Sequence, residues 1–246
     1  MSTPGQVDGR SAEAGRTVSE MSAALPSTLR EVAAEAAGCV RCALQEGRTQ
    51  VVFGEGDPDA DLALVGEAPG FHEDREGIPF AGRARELLER LLGDIGLGLE
   101  DVYLATVLKC RPPGNRDPLP EETAACEPYL FRQLELVRPR VVATLGSFAT
   151  ELLSGRGLGI TRVHGRPQEV TLGGRAIILY PLFHPAAALY TPSMLAILER
   201  DVARVPELLA TWERGDPARS APPEMPVSTE PVRPSETRQA VQLGLF

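Results

Sequence analysis

Short apolar runs alternate with segments of helical periodicity between residues 28 and 212. The apolar runs predict four strands, at 61–66, 102–108, 140–146 and 175–180. Leucines and other apolar residues at helical spacing predict helices at 83–95, 119–137, 147–153 and 193–211. Apolar strands that alternate with helices are typical of a parallel sheet covered by helices on both faces. The sequence therefore predicts an α/β domain whose functional residues follow the carboxyl ends of the strands.

The two ends of the chain differ from this domain in composition. Residues 1–27 are rich in Ser, Ala, Gly and Glu and show little apolar periodicity, which predicts a flexible extension. Residues 213–246 hold six prolines together with several Ser, Thr and Glu, which is typical of a disordered tail. The predicted domain therefore covers residues 28–212.

The composition excludes several classes of protein. Of the 246 residues, 43% are hydrophobic and 24% are charged, as in an ordinary globular protein. No apolar stretch approaches the ~18 residues of a membrane span, and the N-terminus lacks the basic-then-apolar layout of a secretory signal. We therefore expect a cytoplasmic protein. The motifs G-x-G-x-x-G and G-x-x-x-x-G-K-[ST] are both missing, which argues against a nucleotide cofactor and against an NTPase.

The net charge of −9 does not exclude a nucleic-acid substrate, because the charges are unevenly distributed. Residues 46–101 contain 14 acidic and 5 basic side chains, whereas residues 103–175 contain 10 basic and 7 acidic ones. A basic face can therefore coexist with an acidic total, and such a face attracts a polyanion.

The four cysteines form one C-x2-C pair, Cys39 and Cys42, and one C-x15-C pair, Cys110 and Cys126. Disulfides are disfavoured in a cytoplasmic chain. One interpretation is two pairs of small buried hydrophobic residues. The other is a metal centre that ties the N-terminal segment to a strand end and to the helix after it. Four thiolates suit either zinc or a [4Fe–4S] cluster, and the spacing alone does not separate the two.

The loop after the first predicted strand reads GEAPGFHEDREGIPFAGRARELL over residues 66–88. Its glycines permit tight turns and close approach of a ligand, and Glu67 places a carboxylate at the strand end. In isolation Glu67 could equally be a helix-capping or ion-paired acid, and Phe80 a core residue beneath the loop. Much later, FHPAA places His184 directly after the fourth strand, at the same predicted sheet edge as Glu67. The other histidines, His72 and His164, are interpreted as ordinary loop residues.

Three separated motifs and the cysteine pattern together resemble the family-4, iron–sulfur class of uracil-DNA glycosylases. The motifs are GEAPGFHEDREGIPFAG, LKCRPPGNRDP at residues 108–118, and FHPAA, and the similarity spans residues 30–210 or so. The resemblance implies a three-layer α/β/α sandwich with a central four-stranded parallel sheet. It also implies a [4Fe–4S] cluster, structural rather than redox-active, held by Cys39, Cys42, Cys110 and Cys126.

The resemblance further implies a repair enzyme that flips uracil out of DNA and hydrolyses its N-glycosidic bond. Phe80 would stack on the flipped base, and His184 would donate a hydrogen bond to the O2 of the departing uracil anion. Glu67 would position or polarise the attacking water. The remaining candidates for binding uracil are Gly66, Ala68, Pro69, Gly70, Glu73 and Thr106. Candidates for binding DNA are Arg83, Arg116, Arg166 and Tyr190.

The sequence departs from the pattern of this class of enzyme at several positions. Many members have asparagine in the motif N-V-V-K-C, where this chain has Thr106, so one hydroxyl replaces an amide that can bind uracil at two points. Discrimination among pyrimidines and deaminated purines therefore depends on this single hydroxyl. Ala68 replaces the aspartate of the best-known branch of the superfamily, which places more weight on stabilising the leaving group. Tyr190 replaces a frequent arginine after the histidine motif, so stacking or wedging could replace a phosphate contact there.

Lys109 is the only lysine of the chain. Glycosylases that also nick the DNA strand use an amine to form a Schiff base. Lys109 is adjacent to Cys110, an awkward position for that role. We therefore predict a monofunctional enzyme that leaves an abasic site.

Two other functions compete with this one. A covalently trapping uracil-binding relative carries an extra basic, histidine-containing insertion after the first motif, and this chain passes from Phe80 to Arg83 without it. A non-catalytic iron–sulfur module for DNA binding or electron transfer predicts that no base is released at all.

The C-terminus ends in QLGLF, which resembles the short bacterial peptide that docks on the replication sliding clamp. Leu243, Leu245 and Phe246 would be apolar anchors at the tip of a proline-rich tether, and Gln242 would add a polar contact. The alternative is a tail that folds back onto its own domain. We expect uracil-containing DNA as substrate, the clamp as a partner, no membrane association, and a monomer.

Overall fold

A sheet with four parallel strands at its centre organises the computed structural model, which describes residues 28–213. The strands are β1 (Glu55–Gly56), β2 (Leu62–Gly66), β3 (Val102–Thr106), β4 (Val141–Leu145), β5 (Gln168–Leu172) and β6 (Arg175–Leu182). Their order across the sheet is β1-β3-β2-β4-β6-β5. The inner strands β3, β2, β4 and β6 run parallel, while β1 and β5 pair antiparallel at the two edges. The predicted α/β fold with its four-stranded parallel sheet is confirmed, and two edge strands are added.

Helices cover both faces of this sheet. They are α1 (Leu29–Ala37), α2 (Phe71–Glu76), α3 (Arg83–Gly93), α4 (Pro120–Val137), α5 (Ser147–Ser154), α6 (Ile160–Val163), α7 (Pro185–Ala188), α8 (Pro192–Val202) and α9 (Val205–Glu213). Short 3₁₀ turns lie at Ala43–Glu46, Leu99–Asp101 and Pro113–Asn115. None of the described helices has the length and apolar character that crossing a bilayer requires.

The inner strands are buried on both faces, which is why their sequences are almost continuously apolar. Successive strand residues point to opposite sides of a sheet, so Leu62 and Leu64 serve one layer while Ala63 and Val65 serve the other. The first layer joins the strands to α3, α8 and α9 through buried residues that include Leu88, Leu91, Leu198 and Leu208. The second joins them to α4 and α5 through Leu130, Leu134 and Ala149. The result is the three-layer sandwich that the resemblance implied.

The single closing helix predicted at 193–211 is wrong. The structure has two helices there, because α8 ends at Val202 and α9 begins at Val205. Pro206 has no backbone N–H, and its ring would clash with the preceding turn of a continuous helix. In the first turn of a new helix neither problem arises, so Pro206 marks the start of α9.

The sequence prediction omits α1 and β5, although the sequence carries a signal for each. At the start of α1, Thr28 Oγ1 accepts a hydrogen bond from Glu31 N–H at 3.3 Å, and Glu31 Oε2 accepts one from Thr28 N–H at 2.9 Å. This is the capping box that an S/T-x-x-E sequence indicates. Between β5 and β6, Gly173 and Gly174 have φ angles of 55° and 76° and form a two-residue hairpin turn.

Several predictions concern residues outside the described range. The extension at 1–27 and all but the first residue of the tail at 213–246 are among them. So are the candidate clamp-binding residues Gln242, Leu243, Leu245 and Phe246. The boundaries of the domain at 28 and 212 therefore stay predictions.

Candidate active site

The carboxyl ends of the inner strands bring the main candidate residues to one edge of the sheet. Gly66, the last residue of β2, is paired with Thr106, the last residue of β3. Glu67 follows directly after Gly66, and β4 and β6 end in register beside it. His184 lies two residues beyond the end of β6. Open α/β sheets bind their ligands at this edge.

Phe80 lies between Gly66 and His184. A Cβ on Gly66 would come within 2.8 Å of Phe80 Cζ, so only glycine allows the ring to lie there. The centroids of the Phe80 and His184 rings are 5.9 Å apart, and the ring planes are inclined by 35°. The φ angle of Phe80 is 54°, which is uncommon for a residue with a side chain. Phe80 is only 4% exposed, so it belongs to the core and at the same time forms one wall of the site.

Glu73 fixes the loop that carries Phe80. Its Oε2 accepts a hydrogen bond from Gly70 N–H at 3.0 Å, and its Oε1 accepts one from Ala81 N–H at 2.8 Å. Because Ala81 follows Phe80, these bonds hold the Phe80 loop against the start of α2. A Cβ on Gly70 would lie 2.7 Å from Glu73 Oε2, which explains the glycine. The geometry gives Glu73 a positioning role, and the contact with uracil predicted for it stays a prediction.

His184 caps the short helix α7. Its Nδ1 accepts a hydrogen bond from Ala186 N–H at 3.2 Å. An imidazole nitrogen that accepts a hydrogen bond carries no proton, so in the neutral ring the proton is on Nε2. Burial lowers the pKa of His184 to about 4, and the Glu73 carboxylate opposes this shift more weakly. At neutral pH, His184 is therefore an uncharged donor.

Glu67 is half-buried at the end of β2. Burial raises the pKa of its carboxyl, and the negative charge of Asp117 raises it further. Its backbone carbonyl accepts a hydrogen bond from Leu108 N–H at 3.0 Å, which ties β2 to the loop after β3. Of the two residues that follow, Ala68 packs against a hydrophobic cluster that includes Cys110 and Cys126, and Pro69 is buried. The sequence did not predict Asp117 as a residue of the site. It is far from Glu67 along the chain, and only folding brings its charge close to the Glu67 carboxyl.

Thr106 and Lys109 are both buried at this edge of the sheet, and a hydrogen bond links them. Thr106 is buried, and its Oγ1 donates a hydrogen bond to the Leu108 carbonyl at 2.7 Å. Lys109 Nζ donates to the Thr106 carbonyl at 2.6 Å. Lys109 is 2% exposed, and burial lowers the pKa of its ammonium group to about 7 against the opposing effect of Cys126. Because its proton is used in this way, the Thr106 hydroxyl can accept a hydrogen bond from a ligand but cannot donate one.

The four candidate DNA contacts lie in different environments. Tyr190 is 79% exposed, and the Arg83 guanidinium lies over its ring at 5.9 Å from the centroid. Arg116 forms a two-point ion pair with the buried carboxylate of Glu122, with N···O distances of 2.8 and 2.6 Å. Its guanidinium therefore stabilises the start of α4, and the DNA contact predicted for Arg116 stays a prediction. Arg166 is exposed in the loop that leads into β5, next to the carboxyl end of β6.

The four cysteines line a single cavity together with Arg48, Lys109 and Tyr129. Lys109 N–H donates to Cys126 Sγ at 3.1 Å, and Arg48 Nη1 donates to Cys110 Sγ at 3.6 Å. Burial raises the pKa of the Cys126 thiol to about 11 and also raises that of Cys110. Among the described residues, no group of three or more His, Cys, Asp and Glu side chains is arranged to hold a metal ion.

His164 has a structural role that the sequence did not indicate. Its Nδ1 lies 2.6 Å from Oδ2 of Asp201, a buried residue of α8. Its ring stacks on Phe183 with a centroid distance of 4.6 Å. Tyr180 Oη donates a hydrogen bond to the Asp201 carbonyl at 2.8 Å. These contacts fix the end of β6, and with it the position of His184, so the turn that carries His164 has a structural role.

The chain is similar to known proteins over most of its length. Residues 53–210 match the family model of the Uracil DNA glycosylase superfamily, which is the class that the fold and the site define. The Type-4 uracil-DNA glycosylase of Sulfurisphaera tokodaii is 42% identical over 193 residues, which cover 76% of this chain and 87% of that protein. The Type-4 enzyme of Archaeoglobus fulgidus is 43% identical over 185 residues, or 74% of this chain and 93% of that protein. The chain belongs to the type-4 family of uracil-DNA glycosylases within this superfamily.

Proposed function

We propose that the protein hydrolyses the N-glycosidic bond of uracil in DNA and leaves an abasic site. The observation that carries this proposal is the state of His184. It is a neutral imidazole with its proton on Nε2, 5.9 Å from the Phe80 ring at the sheet edge that also carries Glu67. Such a group donates a hydrogen bond to a developing negative charge without first being charged itself.

Each residue of the site has a step in this mechanism. The flipped uracil enters between Phe80, Thr106 and His184, and unstacking the base costs roughly a few kcal/mol. The electrons of the N1–C1′ bond pass to uracil, which departs as an anion with charge on O2 while the sugar becomes an oxocarbenium ion. His184 Nε2–H donates to that oxygen, an interaction that stabilises the transition state by ~3–4 kcal/mol. Glu67 orients the water that attacks C1′ and accepts its proton.

The environment of Lys109 supports a monofunctional enzyme. A Schiff base needs an amine that can reach C1′ of the sugar. Lys109 is 2% exposed, and its Nζ donates to the Thr106 carbonyl. An amine held in this way beneath the site is out of reach of the sugar, although its lowered pKa would otherwise favour attack.

One assay tests both parts of the proposal. Single-stranded and duplex oligonucleotides that carry uracil, hypoxanthine or xanthine are incubated with the protein, and alkali then reveals abasic sites. We expect uracil release with no strand cleavage before alkali and no protein–DNA adduct after borohydride treatment. Release from none of the substrates would refute the enzyme activity. An adduct that requires borohydride would refute the monofunctional mechanism, and an adduct without it would indicate the covalently trapping relative.

We also propose that the cysteine cavity holds a [4Fe–4S] cluster. A single zinc ion draws its thiolates to about 2.3 Å, whereas a cluster binds each cysteine through a different iron and spreads the ligands around a larger body. The four cysteines line one cavity, and the resemblance of the chain to the iron–sulfur class of uracil-DNA glycosylases favours the cluster over zinc. The N–H groups directed at Cys126 and Cys110 suit thiolate ligands. When bound, the cluster would supply iron–thiolate bonds that tie the segment after α1 to the end of β3 and to α4.

Because Thr106 stands where many members of the family have asparagine, we expect weaker selectivity among bases than in those members. Because Oγ1 donates to the Leu108 carbonyl, it can only accept a hydrogen bond from a base, as it would from uracil N3–H. Thr106→Val keeps the shape but removes the acceptor, so kcat/KM for uracil is expected to fall about 2- to 10-fold. Thr106→Asn adds an amide N–H for uracil O4, a contact that the amino group of cytosine cannot make, so selectivity for uracil over cytosine is expected to rise about 10-fold. Identical selectivity in the wild type and both variants would contradict a role for Thr106 in recognition.

The C-terminal peptide at 242–246 is proposed to dock on the replication sliding clamp, on sequence grounds alone. Its apolar anchors would keep the enzyme close to newly made DNA in the cytoplasm, as a monomer on a tether. Calorimetric titration of the last ten residues against the purified clamp tests this. Binding that Leu245→Ala and Phe246→Ala abolish is the expected result. No binding at tens of micromolar would refute the docking and leave the glycosylase proposal unaffected.

A further inference from the structure

Two of the Phe and Tyr side chains whose exposure the structure describes are exposed, and both lie at the edge of the sheet that carries the site. They are Phe71, which is 46% exposed, and Tyr190, which is 79% exposed. Arginine guanidinium groups lie over the rings of both residues. Tyr190 follows β6, whereas Phe71 follows β2 directly after Gly70, so the two rings occupy different places along the edge.

Phe71 is the centre of a cluster that joins helix α2 to the loop after β3. The guanidinium carbon of Arg75 lies 5.5 Å from the centroid of the Phe71 ring, and that of Arg111 lies 5.2 Å from it. The His72 ring meets the Phe71 ring edge-on at 5.4 Å. Arg75 belongs to α2, but Arg111 comes from the loop after β3, and its Nε donates to Asn115 Oδ1 at 2.6 Å. We call Phe71, His72, Arg75 and Arg111 the Phe71 platform.

The Phe71 platform is held in a fixed position relative to the uracil site. Phe71 follows Gly70, whose N–H donates to Glu73, and the same carboxylate accepts from Ala81 next to Phe80. Arg111 follows Cys110 in the segment that also supplies Thr106 and Lys109. Phe71 is 46% exposed, so part of its ring stays accessible beside the two guanidinium groups and can be covered by a ligand.

We propose that the Phe71 platform binds the DNA strand beside the flipped uracil, by stacking an unpaired base on the Phe71 ring and binding phosphates through Arg75 and Arg111. The inference rests on the proposed glycosylase function, because it names a further contact for the same substrate. Aromatic rings with neighbouring arginines are the usual means of holding single-stranded nucleic acid. The base must be unpaired to stack, so the platform favours single strands and frayed or mismatched duplexes.

The stacking contact is tested with Phe71→Ala and the conservative variant Phe71→Tyr. The probe is a single-stranded oligonucleotide with one 2′-fluoro-2′-deoxyuridine, which resists hydrolysis. Phe71→Ala is expected to raise Kd about 5- to 100-fold, and Phe71→Tyr to keep it close to the wild-type value. Abasic spacers then replace the bases at successive positions beside the uracil. At the position that stacks on Phe71, the spacer is expected to remove the difference between wild type and Phe71→Ala.

The phosphate contacts are tested by the salt dependence of binding. Arg75→Gln and Arg111→Gln are each expected to reduce the slope of log K against log salt by about 0.7 on single strands, the value for one phosphate contact. Arg90→Gln is the matched control. Arg90 is exposed near the C-terminal end of α3, outside the Phe71 platform, and pairs with Asp94 and Glu199. This substitution removes the same charge and is expected to leave the slope unchanged. Equal slopes in all four proteins would refute the phosphate contacts.

The outcomes separate this inference from the proposed function. If the wild type releases no uracil, the proposed function fails, yet the platform still predicts that Phe71→Ala weakens binding of an undamaged single strand. If uracil is released but Phe71→Ala binds every oligonucleotide like the wild type, the platform is refuted and the glycosylase stands. A Phe71→Ala effect that no abasic spacer removes would also refute stacking, because it would indicate an indirect effect on the fold.

Discussion

Replacing His184 with alanine is expected to slow uracil release about 100- to 1,000-fold, measured in single turnovers with enzyme in excess. The substitution removes the Nε2–H donor, whose position is set by the bond from Ala186 N–H to Nδ1. This donor acts on charge that develops only as the N1–C1′ bond breaks, so the loss appears in the rate. Binding of uracil-containing DNA that resists hydrolysis is expected to change much less.

The conservative variants His184→Asn and His184→Gln test the donor itself. Each keeps an uncharged N–H group, so each is expected to recover part of the rate that alanine loses. A structural role alone would instead lower the thermal stability of the variants in parallel with their rates. Wild-type rates in His184→Ala would show that another group stabilises the leaving uracil.

The pH dependence follows from the pKa of the two central residues. Because burial holds the pKa of His184 at about 4, its imidazole stays neutral across the neutral range and the donor is constant. The pKa of Glu67 is raised by burial and by Asp117, so the acidic fall in rate is expected to belong to Glu67 and to vanish in Glu67→Gln. An acidic limb that persists in Glu67→Gln would assign it to another group.

His184 also links folding stability to pH, with a defined sign. Its folded pKa, about 4, lies below the ordinary value of 6.5, so the unfolded chain takes up a proton more readily. The contribution of His184 to stability is therefore complete above about pH 6.5 and is lost as the pH falls towards 4. In His184→Ala, the loss of stability between these pH values is expected to be smaller, as measured by thermal unfolding.

The inner strands are well predicted from the sequence, because their burial produces a pattern that is visible within each strand. β2, β3 and β4 are buried on both faces, so each is an almost continuously apolar run that can be recognised without its neighbours in the sheet. The edge strand β5 alternates between half-buried and exposed residues, and β1 has only two residues. The candidates Glu67 and His184 can be predicted in the same way, because each closely follows an apolar strand in the sequence.

The roles of other residues depend on contacts that no local pattern contains. Glu73 holds two backbone N–H groups that come together only in the folded loop, and Arg116 meets the buried Glu122. The Phe71 platform likewise needs Arg111 from another loop. A sequence motif can therefore identify a charged residue as a functional candidate. Whether that residue contacts a ligand or another part of the protein is known only from the folded structure.

Replacing Cys126 with alanine is expected to abolish iron binding and to lower the free energy of unfolding by about 4 kcal/mol. A cluster that joins Cys42 to Cys110 and Cys126 closes a long loop, and cross-links of such loops stabilise by about this amount. For a domain of this size the corresponding fall in Tm is about 8–16 °C. Iron and sulfide content, the visible absorption of the cluster, and thermal unfolding are the three measurements.

The competing interpretation of the cysteines makes a different prediction for the same variant. If Cys126 were only a small buried hydrophobic residue, the alanine would cost about 1 kcal/mol and the wild type would contain no iron. Removing iron from the wild type by oxidation and chelation supplies the matched control. It is expected to lower the Tm of the wild type to that of Cys126→Ala and to leave the Tm of the variant unchanged. A chelated wild type that keeps its Tm would show that the cluster, even if present, does not hold the segment after α1 to β3 and α4.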